Sequence, residues 1–305
     1  MTKSGNIAGY FGKLPGFNDF VKYNAGGEEL LVLDKWLQDG LLSAKMKLKS
    51  DWVNYYKNSD ELFFFYPFTG TGRALSGLLI FSTDKSGREF PFIVFFYLDK
   101  KQLNNIPFHL IPMILFDILN ELKSSFTGIS SINNLSILNE RINKISCTIN
   151  NINDKDNLYQ DYLSSTSQTD FWNKITDGYH EPAMLSFLMN LYLQKESTEP
   201  VTISFLSTDN HYLNDLSFLI QLTFTFHKMP DSFPGFFWTE SENKSHLLHI
   251  FINKPLPDNF IDLIRIRDNN NLSLNERQSN TSIRSTFENL VNRDITLKEF
   301  LNAIH

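Results

Sequence analysis

Three apolar runs limit the architecture more than any other part of the chain: ELFFFYPF at 61–68, ALSGLLIFST at 74–83 and EFPFIVFFYL at 89–98. Only GTG at 70–72 and DKSG at 84–87 separate their polar-turn junctions. A parallel pair needs a crossover of about a dozen residues, so these neighbours are expected to run antiparallel. A sheet with one wet face would alternate polar and apolar residues. These runs are almost continuously apolar, so helices are expected over both faces. The Gly70-Thr71-Gly72-Arg73 stretch has the glycines of a phosphate loop, but no Lys-Ser/Thr follows and the next segment is a strand. A hairpin turn accounts for it.

The rest of the chain supplies further strands and the helical layers. NIAGYFG at 6–12 reads as a first strand, VTISFLS at 201–207 as another, and FPGFFWTES at 233–241 with HLLHIFINK at 246–254 as a late pair. From Glu28 to about Ala44, Leu30, Leu33, Trp36, Leu37, Leu41 and Leu42 form a helical stripe. A short helix over 50–58 is expected behind a Ser50 or Asp51 cap. Residues 108–122 carry Ile111, Leu115, Ile118, Leu119 and Leu122 on one face, with Pro112 in the first turn where its missing N–H costs least. A polar stretch with weak periodicity runs to about 157, and helices are expected over 158–174, 182–194, 211–227 and 258–266. On the helix over 211–227, Leu213, Leu216, Ile220 and Phe224 mark the buried side.

The 305 residues include 28 Phe and 11 Tyr, which predicts an aromatic-rich core. A net charge of −6 argues against nucleic acid or an anionic membrane as partner, because phosphate backbones need clustered Lys and Arg. The single cysteine, Cys147, has no second cysteine to pair with, which predicts a reducing compartment. Residues 1–6 lack an apolar leader core, and no apolar run approaches the roughly 20 residues that span a bilayer. A cytoplasmic location without membrane insertion is expected. His246 and His249, three apart in a strand, fall on opposite faces. With no HExxH, CxxC or acidic calcium loop in the sequence, neither a metal nor a cofactor is expected.

One constellation stands out against that background. GYFGKLPGFNDF at 9–20 and SGLLIFSTDKSGREFPF at 76–92 each join an apolar run to a tight turn and then set charges beside aromatics. Lys13, Asp19, Asp84 and Arg88 are the candidate clamp or partner-binding residues. Turn chemistry explains Asp84 and Gly87, since Asp folds onto its own backbone and Gly takes the left-handed position. Arg88 is expected to pair with Asp19 or Asp84 and so lock the two segments together. No catalytic residue is assigned: Ser82 and Ser86 have no nearby histidine in sequence, and there is no GxSxG elbow. Trp36, Trp52, Trp172 and Trp238 are expected in or at the edge of the core. Trp238 must face away from its strand neighbour Phe237, and one of the two is expected to be exposed; Trp238 is therefore a further surface candidate.

GYFGKLP at 9–15, Asp19-Phe20-Val21, the Trp36-Leu37 and Trp52/Tyr56 spacing, GLLIFSTDKSGREFPF at 77–92, GFFWTES at 235–241 and PLPDNF at 255–260 occur in a telling order. In that order the chain resembles the TagF (also called ImpM) proteins associated with bacterial type VI secretion. Asn18 stands where the family carries a glycine, and Phe237 replaces the first of two tryptophans. The resemblance implies an α/β (α+β) fold around a mainly antiparallel sheet, similar to profilin and longin domains. It also implies a non-enzymatic cytoplasmic repressor of secretion that acts after translation by binding an apparatus component. In some systems that component is a forkhead-associated scaffold protein.

The expected organisation is an α/β domain over 1–267, a linker over 268–280 and a helical C-terminal appendage over 281–305. Two other function classes stay open at this level. One is a small hydrolase or phosphatase using acids near Asp19 and Asp84; the other is a longin-like scaffold for a small GTPase, which rests on fold analogy.

Overall fold

The computed structural model of the chain describes residues 7–68, 70–104, 106–149, 151–175, 181–194, 199–207, 211–227, 234–240, 245–264 and 281–304. The expected linker over 268–280 lies outside the described residues.

The elements run β1 (Ala8–Gly12), β2 (Val21–Tyr23), α1 (Glu28–Leu48), α2 (Trp52–Lys57), β3 (Leu62–Pro67), β4 (Arg73–Ile80), β5 (Phe92–Asp99), α3 (Lys100–Leu103), α4 (Ile111–Phe126) and α5 (Leu135–Lys144). They continue with α6 (Ile152–Ser165), α7 (Gln168–Ile175), α8 (Glu181–Leu193), β6 (Val201–Leu206), α9 (Tyr212–Phe226), β7 (Gly235–Trp238), β8 (Ser245–Phe251), α10 (Asn259–Ile264), α11 (Thr281–Val291) and α12 (Leu297–Ile304). The described strands form one eight-stranded sheet in the order β2-β1-β5-β4-β3-β7-β8-β6. Every neighbouring pair is antiparallel. The short-turn argument for 61–98 therefore holds, with β3 and β4 paired from Leu62↔Leu79 to Pro67↔Ala74.

Period-two alternation sorts the central strands onto two cores. Phe63 and Phe65, Phe92, Val94 and Phe96, and Phe236 and Trp238 face a thick layer to which α4 to α9, α11 and α12 contribute. Leu62, Phe64, Tyr66, Ile93, Phe95 and Phe237 face a thinner layer of α1, α2 and α10. Both faces are covered, which is why the strand sequences do not alternate. Phe237 and Trp238 are consequently both fully buried, and the expectation that one is exposed is corrected. Phe237 stacks on Phe64 at 5.8 Å in one layer, while Trp238 lies 5.8 Å from Phe63 in the other.

Other expectations shift in detail. Leu42 is 59% exposed, because α1 turns Leu33, Trp36, Leu37, Gly40, Leu41 and Ala44 inward, Gly40 against Phe260 of α10, and leaves Leu42 outward. Neither Ser50 nor Asp51 caps α2 through its side chain; a 3-10 turn over Lys49–Asp51 leads into it. The helix expected over 158–174 is two helices, α6 and α7, broken where Ser167 bridges to Thr296. The weakly periodic stretch before 157 holds α5, whose start is capped by the Asn134 side chain accepting from the Ser136 N–H. No described helix is long and apolar enough to cross a membrane.

The C-terminal helices are packed into the thick layer. Phe287, Leu290, Val291, Leu297, Phe300 and Leu301 are buried in its core. The Gln168 side-chain amide donates to the carbonyls of Leu290 (2.9 Å) and Arg293, and the Leu297 N–H donates to Thr166 O at 2.9 Å.

Candidate functional site

The clamp forms where β1 leaves the sheet and where β4 turns toward β5. Gly12 ends β1 with φ +137°, and a Cβ there would lie 2.1 Å from the Pro91 carbonyl oxygen. Only glycine permits that backbone and that approach. The chain then runs through Lys13 to Phe20 beside the loop over 81–91. One backbone contact registers the segments, the Lys85 N–H donating to Phe17 O at 2.8 Å, and the second loop is closed on itself by the Asp84 N–H donating to Arg88 O at 3.0 Å.

Asp84 is the centre of the assembly, and its carboxylate is fully buried. Its Oδ1 accepts from the Ser86 N–H (3.0 Å), the Ser86 hydroxyl (2.7 Å) and the Arg88 N–H (3.0 Å). Its Oδ2 takes Lys13 Nζ at 3.1 Å and Arg88 Nε at 2.7 Å. Burial alone would raise its pKa. The Ser86 hydroxyl, the Arg88 N–H, Lys13 and the Arg88 guanidinium outweigh burial and hold the carboxyl well below the usual range.

The two cations are not equivalent. The Lys13 side chain is only 9% exposed and also sits 5.2 Å over the Phe20 ring, so it is committed to the interior. The Arg88 side chain is 62% exposed and gives a second hydrogen bond to Asn18 O at 2.8 Å. Exposed pairs contribute about 0–1 kcal/mol, whereas removing one partner of a buried pair costs about 3–5 kcal/mol. Lys13–Asp84 therefore holds the clamp together, and Arg88 adds a solvent-facing guanidinium across its mouth.

Asp19, the other expected partner of Arg88, does not pair with it. Its carboxylate is exposed and accepts from the Phe20 N–H at 2.8 Å. Arg88 still ties the two segments together, through Asp84 and the Asn18 carbonyl. Phe20, 39% exposed, packs on Phe11 at 5.2 Å and Phe90 at 4.8 Å. Lys13, Asp84 and Arg88 thus come together, Asp19 sits beside them without joining the ion pairs, and Trp238 lies apart inside the sheet. With every lone-pair direction of Asp84 engaged, the arrangement positions backbone and presents a surface. An exposed aromatic edge and a guanidinium on a rigid base are side-chain types enriched where protein interfaces concentrate their binding energy.

A second polar cluster escaped the sequence argument. Asp215, on α9, is fully buried; its Oδ1 accepts from Tyr162 Oη and Lys174 Nζ, both at 2.5 Å, and its Oδ2 accepts from Ser207 Oγ. Burial, then the Asp215 charge, pushes the Tyr162 hydroxyl far above its ordinary pKa. The available signal was an acid on the apolar face of α9, one residue before Leu216. Ser207 bonds directly to the carboxylate and both are shut from solvent, so the cluster ties α6, α7 and α9 to the end of β6. The histidines His246 and His249 face opposite sides as expected: the His246 ring lies tilted 4.2 Å from Tyr212, while His249 Nδ1 meets Thr202 Oγ1 at 3.0 Å. Among the described residues, no group of three or more His, Cys, Asp or Glu side chains is placed to hold a metal ion.

Fold and clamp together define a mixed α/β protein whose single antiparallel sheet lies between two helical layers and carries a rigid surface element at one end. Residues 9–127 match the family model described as the TagF N-terminal domain, Type VI secretion system-associated. That span contains α1, the clamp and strands β1 to β5, and it associates this region with type VI secretion. The crystal structure of PA0076 from Pseudomonas aeruginosa PAO1 shares the fold, with 15% sequence identity, a TM-score of 0.50, and coverage of 84% of this chain and 93% of that one. No curated protein matches the chain.

Proposed function

We propose that this chain is a non-catalytic cytoplasmic accessory protein that represses a type VI secretion system after translation by binding a component of the apparatus. A forkhead-associated scaffold protein is the first candidate partner. The observation that carries the reading is the match of residues 9–127 to the secretion-associated N-terminal domain. The clamp is the proposed contact surface, because it combines an exposed Phe20 edge with the Arg88 guanidinium and the Asp19 carboxylate on a base that Asp84 and Lys13 keep rigid. A profilin-like or longin-like fold of the sheet and its helices is part of this proposal and rests on the resemblance.

Affinity purification of the tagged chain from a host that carries the secretion system tests the reading. The scaffold or another apparatus component is expected to co-purify, and deletion of the gene is expected to raise secretion. The double variant Asp19→Ala/Arg88→Ala is expected to fold normally and to recover less partner. Recovery of no apparatus component together with unchanged secretion in the deletion strain would sink the proposal. A folded double variant with full regulation would move the contact surface elsewhere.

A further inference from the structure

Helix α1 carries a second apolar row, turned away from the molecule. Leu31 is 64% exposed, Leu42 59% and Met46 71%. Glu28, Lys35 and Gln38, with Lys49 just past the helix end, are exposed as well and recur with them every three or four residues, so all share one outward face. Single exposed leucines are ordinary on a protein surface. Here three large apolar side chains lie in one row along a 21-residue helix, about 30 Å long, with charges at both ends of the row.

Contacts on the flanks of α1 hold this face in place. Trp36 Nε1 donates to Leu256 O at 2.9 Å, Lys45 pairs with Glu89 at 3.6 Å, and Lys47 reaches Asp258 at 2.5 Å. These groups tie α1 to its own chain. The outward row is thereby ordered before anything docks on it, which lowers the entropy cost of docking.

The order of residues along the row decides what fits it. Turned end for end about the midpoint between Gln38 and Asp39, a second α1 lays its Lys49 on Glu28, its Met46 on Leu31 and its Leu42 on Lys35. The Lys35 stem then covers Leu42 while its ammonium, 3.0 Å from Asp39 in its own helix, also faces the Asp39 of the second copy. The opposed helix dipoles favour the same orientation. Parallel pairing would instead set Glu28 on Glu28 and Lys49 on Lys49. An anionic lipid surface would meet the Glu28 and Asp39 carboxylates along with the cations, so it fits the face less well.

We propose that this face pairs α1 with α1 of a second copy of the chain, antiparallel about a two-fold axis at Gln38 and Asp39, giving an isologous dimer. One helix row per copy is at the small end of specific interfaces. The dimer is accordingly weak, with a dissociation constant on the order of 10–100 μM.

Sedimentation velocity of the full chain across that concentration range tests the pairing, and a shift from monomer to dimer is expected. Leu42→Lys changes a side chain that is exposed in the monomer and sets an ammonium against Lys35. It is expected to weaken dimerisation more than about 30-fold without lowering the melting temperature of the monomer. Glu28→Lys is expected to weaken it about 10-fold, and Glu28→Lys/Lys49→Glu to restore it. Orientation is read by disulfide cross-linking, because the native Cys147 is buried. Leu31→Cys and Met46→Cys variants are expected to link to each other when mixed, and neither to itself. A chain that stays monomeric, a dimer indifferent to Leu42→Lys, or either cysteine variant linking to itself would overturn the proposal. So would a monomer in which Leu42→Lys lowers recovery of an apparatus component, which would give the face to that component. Secretion in the deletion strain bears on the regulatory role alone, so the two readings fail separately.

Discussion

Asp84 and Arg88 are four residues apart and face each other, yet their substitutions should separate stability from binding. Asp84→Ala leaves the Lys13 ammonium buried without its counter-charge and is expected to cost about 3–5 kcal/mol in urea denaturation. Arg88→Ala removes a mostly exposed group and is expected to cost at most about 1 kcal/mol, with its effect seen in partner recovery. The acid limb follows from the same carboxylate. Its folded pKa lies below the unfolded value of about 3.9, so its contribution is present above that pH and is lost as pH falls below it. Asp84→Asn is therefore expected to flatten the stability curve below about pH 4, measured by denaturation across pH. Gly12→Ala meets both an adverse φ and the Pro91 carbonyl and is expected to cost about 3 kcal/mol.

Within the elements, β8 carries a titration of the opposite chemical type. His249 is fully buried, and its pKa is lowered to about 4 by burial from an ordinary 6.5. The unfolded chain binds the proton first, so stability is complete above about pH 6.5 and falls as pH drops toward 4. His109 is depressed to about 4 as well, so His249→Gln is expected to reduce the slope between pH 6.5 and 4 without abolishing it, as read from urea midpoints. Much at this scale was legible in the sequence. The three apolar runs gave β3, β4 and β5 with their direction, because local turns decide antiparallel pairing. The Asp84 turn was legible for a similar reason, since its bonds lie within four residues. What could not be read was set by distant contacts. Phe237 and Trp238 are both buried because helices from separate parts of the chain cover their two faces, and α5 hides in a polar stretch because only Leu138 and Ile142 of its ten residues are buried. Arg88 chooses Asp84 over Asp19 through loop geometry that spacing does not encode. Asp215 gains meaning only from the Tyr162, Lys174 and Ser207 side chains around it.

For the whole molecule, the last two helices are part of the main core. Six buried apolar side chains at about 1.5–3 kcal/mol each rival the 5–15 kcal/mol by which a domain is stable. A chain ending at residue 267 is accordingly expected to aggregate or to melt without a sharp transition in circular dichroism. A sharp transition close to that of the full chain would mark α11 and α12 as accessory. Phe300→Ala is a milder form of the same test and is expected to cost about 3–5 kcal/mol, because Phe300 is fully buried beside Trp172 and Phe218.

The strand order has a consequence for synthesis. β3 is complete at Pro67, but its outer neighbour β7 begins only at Gly235. At 5–20 residues per second the ribosome takes on the order of 10–30 s to cover that interval. Throughout it, the nascent chain displays LFFFYP as an unpaired sheet edge, the kind of edge that recruits other strands. Solubility during expression should therefore depend on how fast the middle of the message is translated, even where the finished protein is stable.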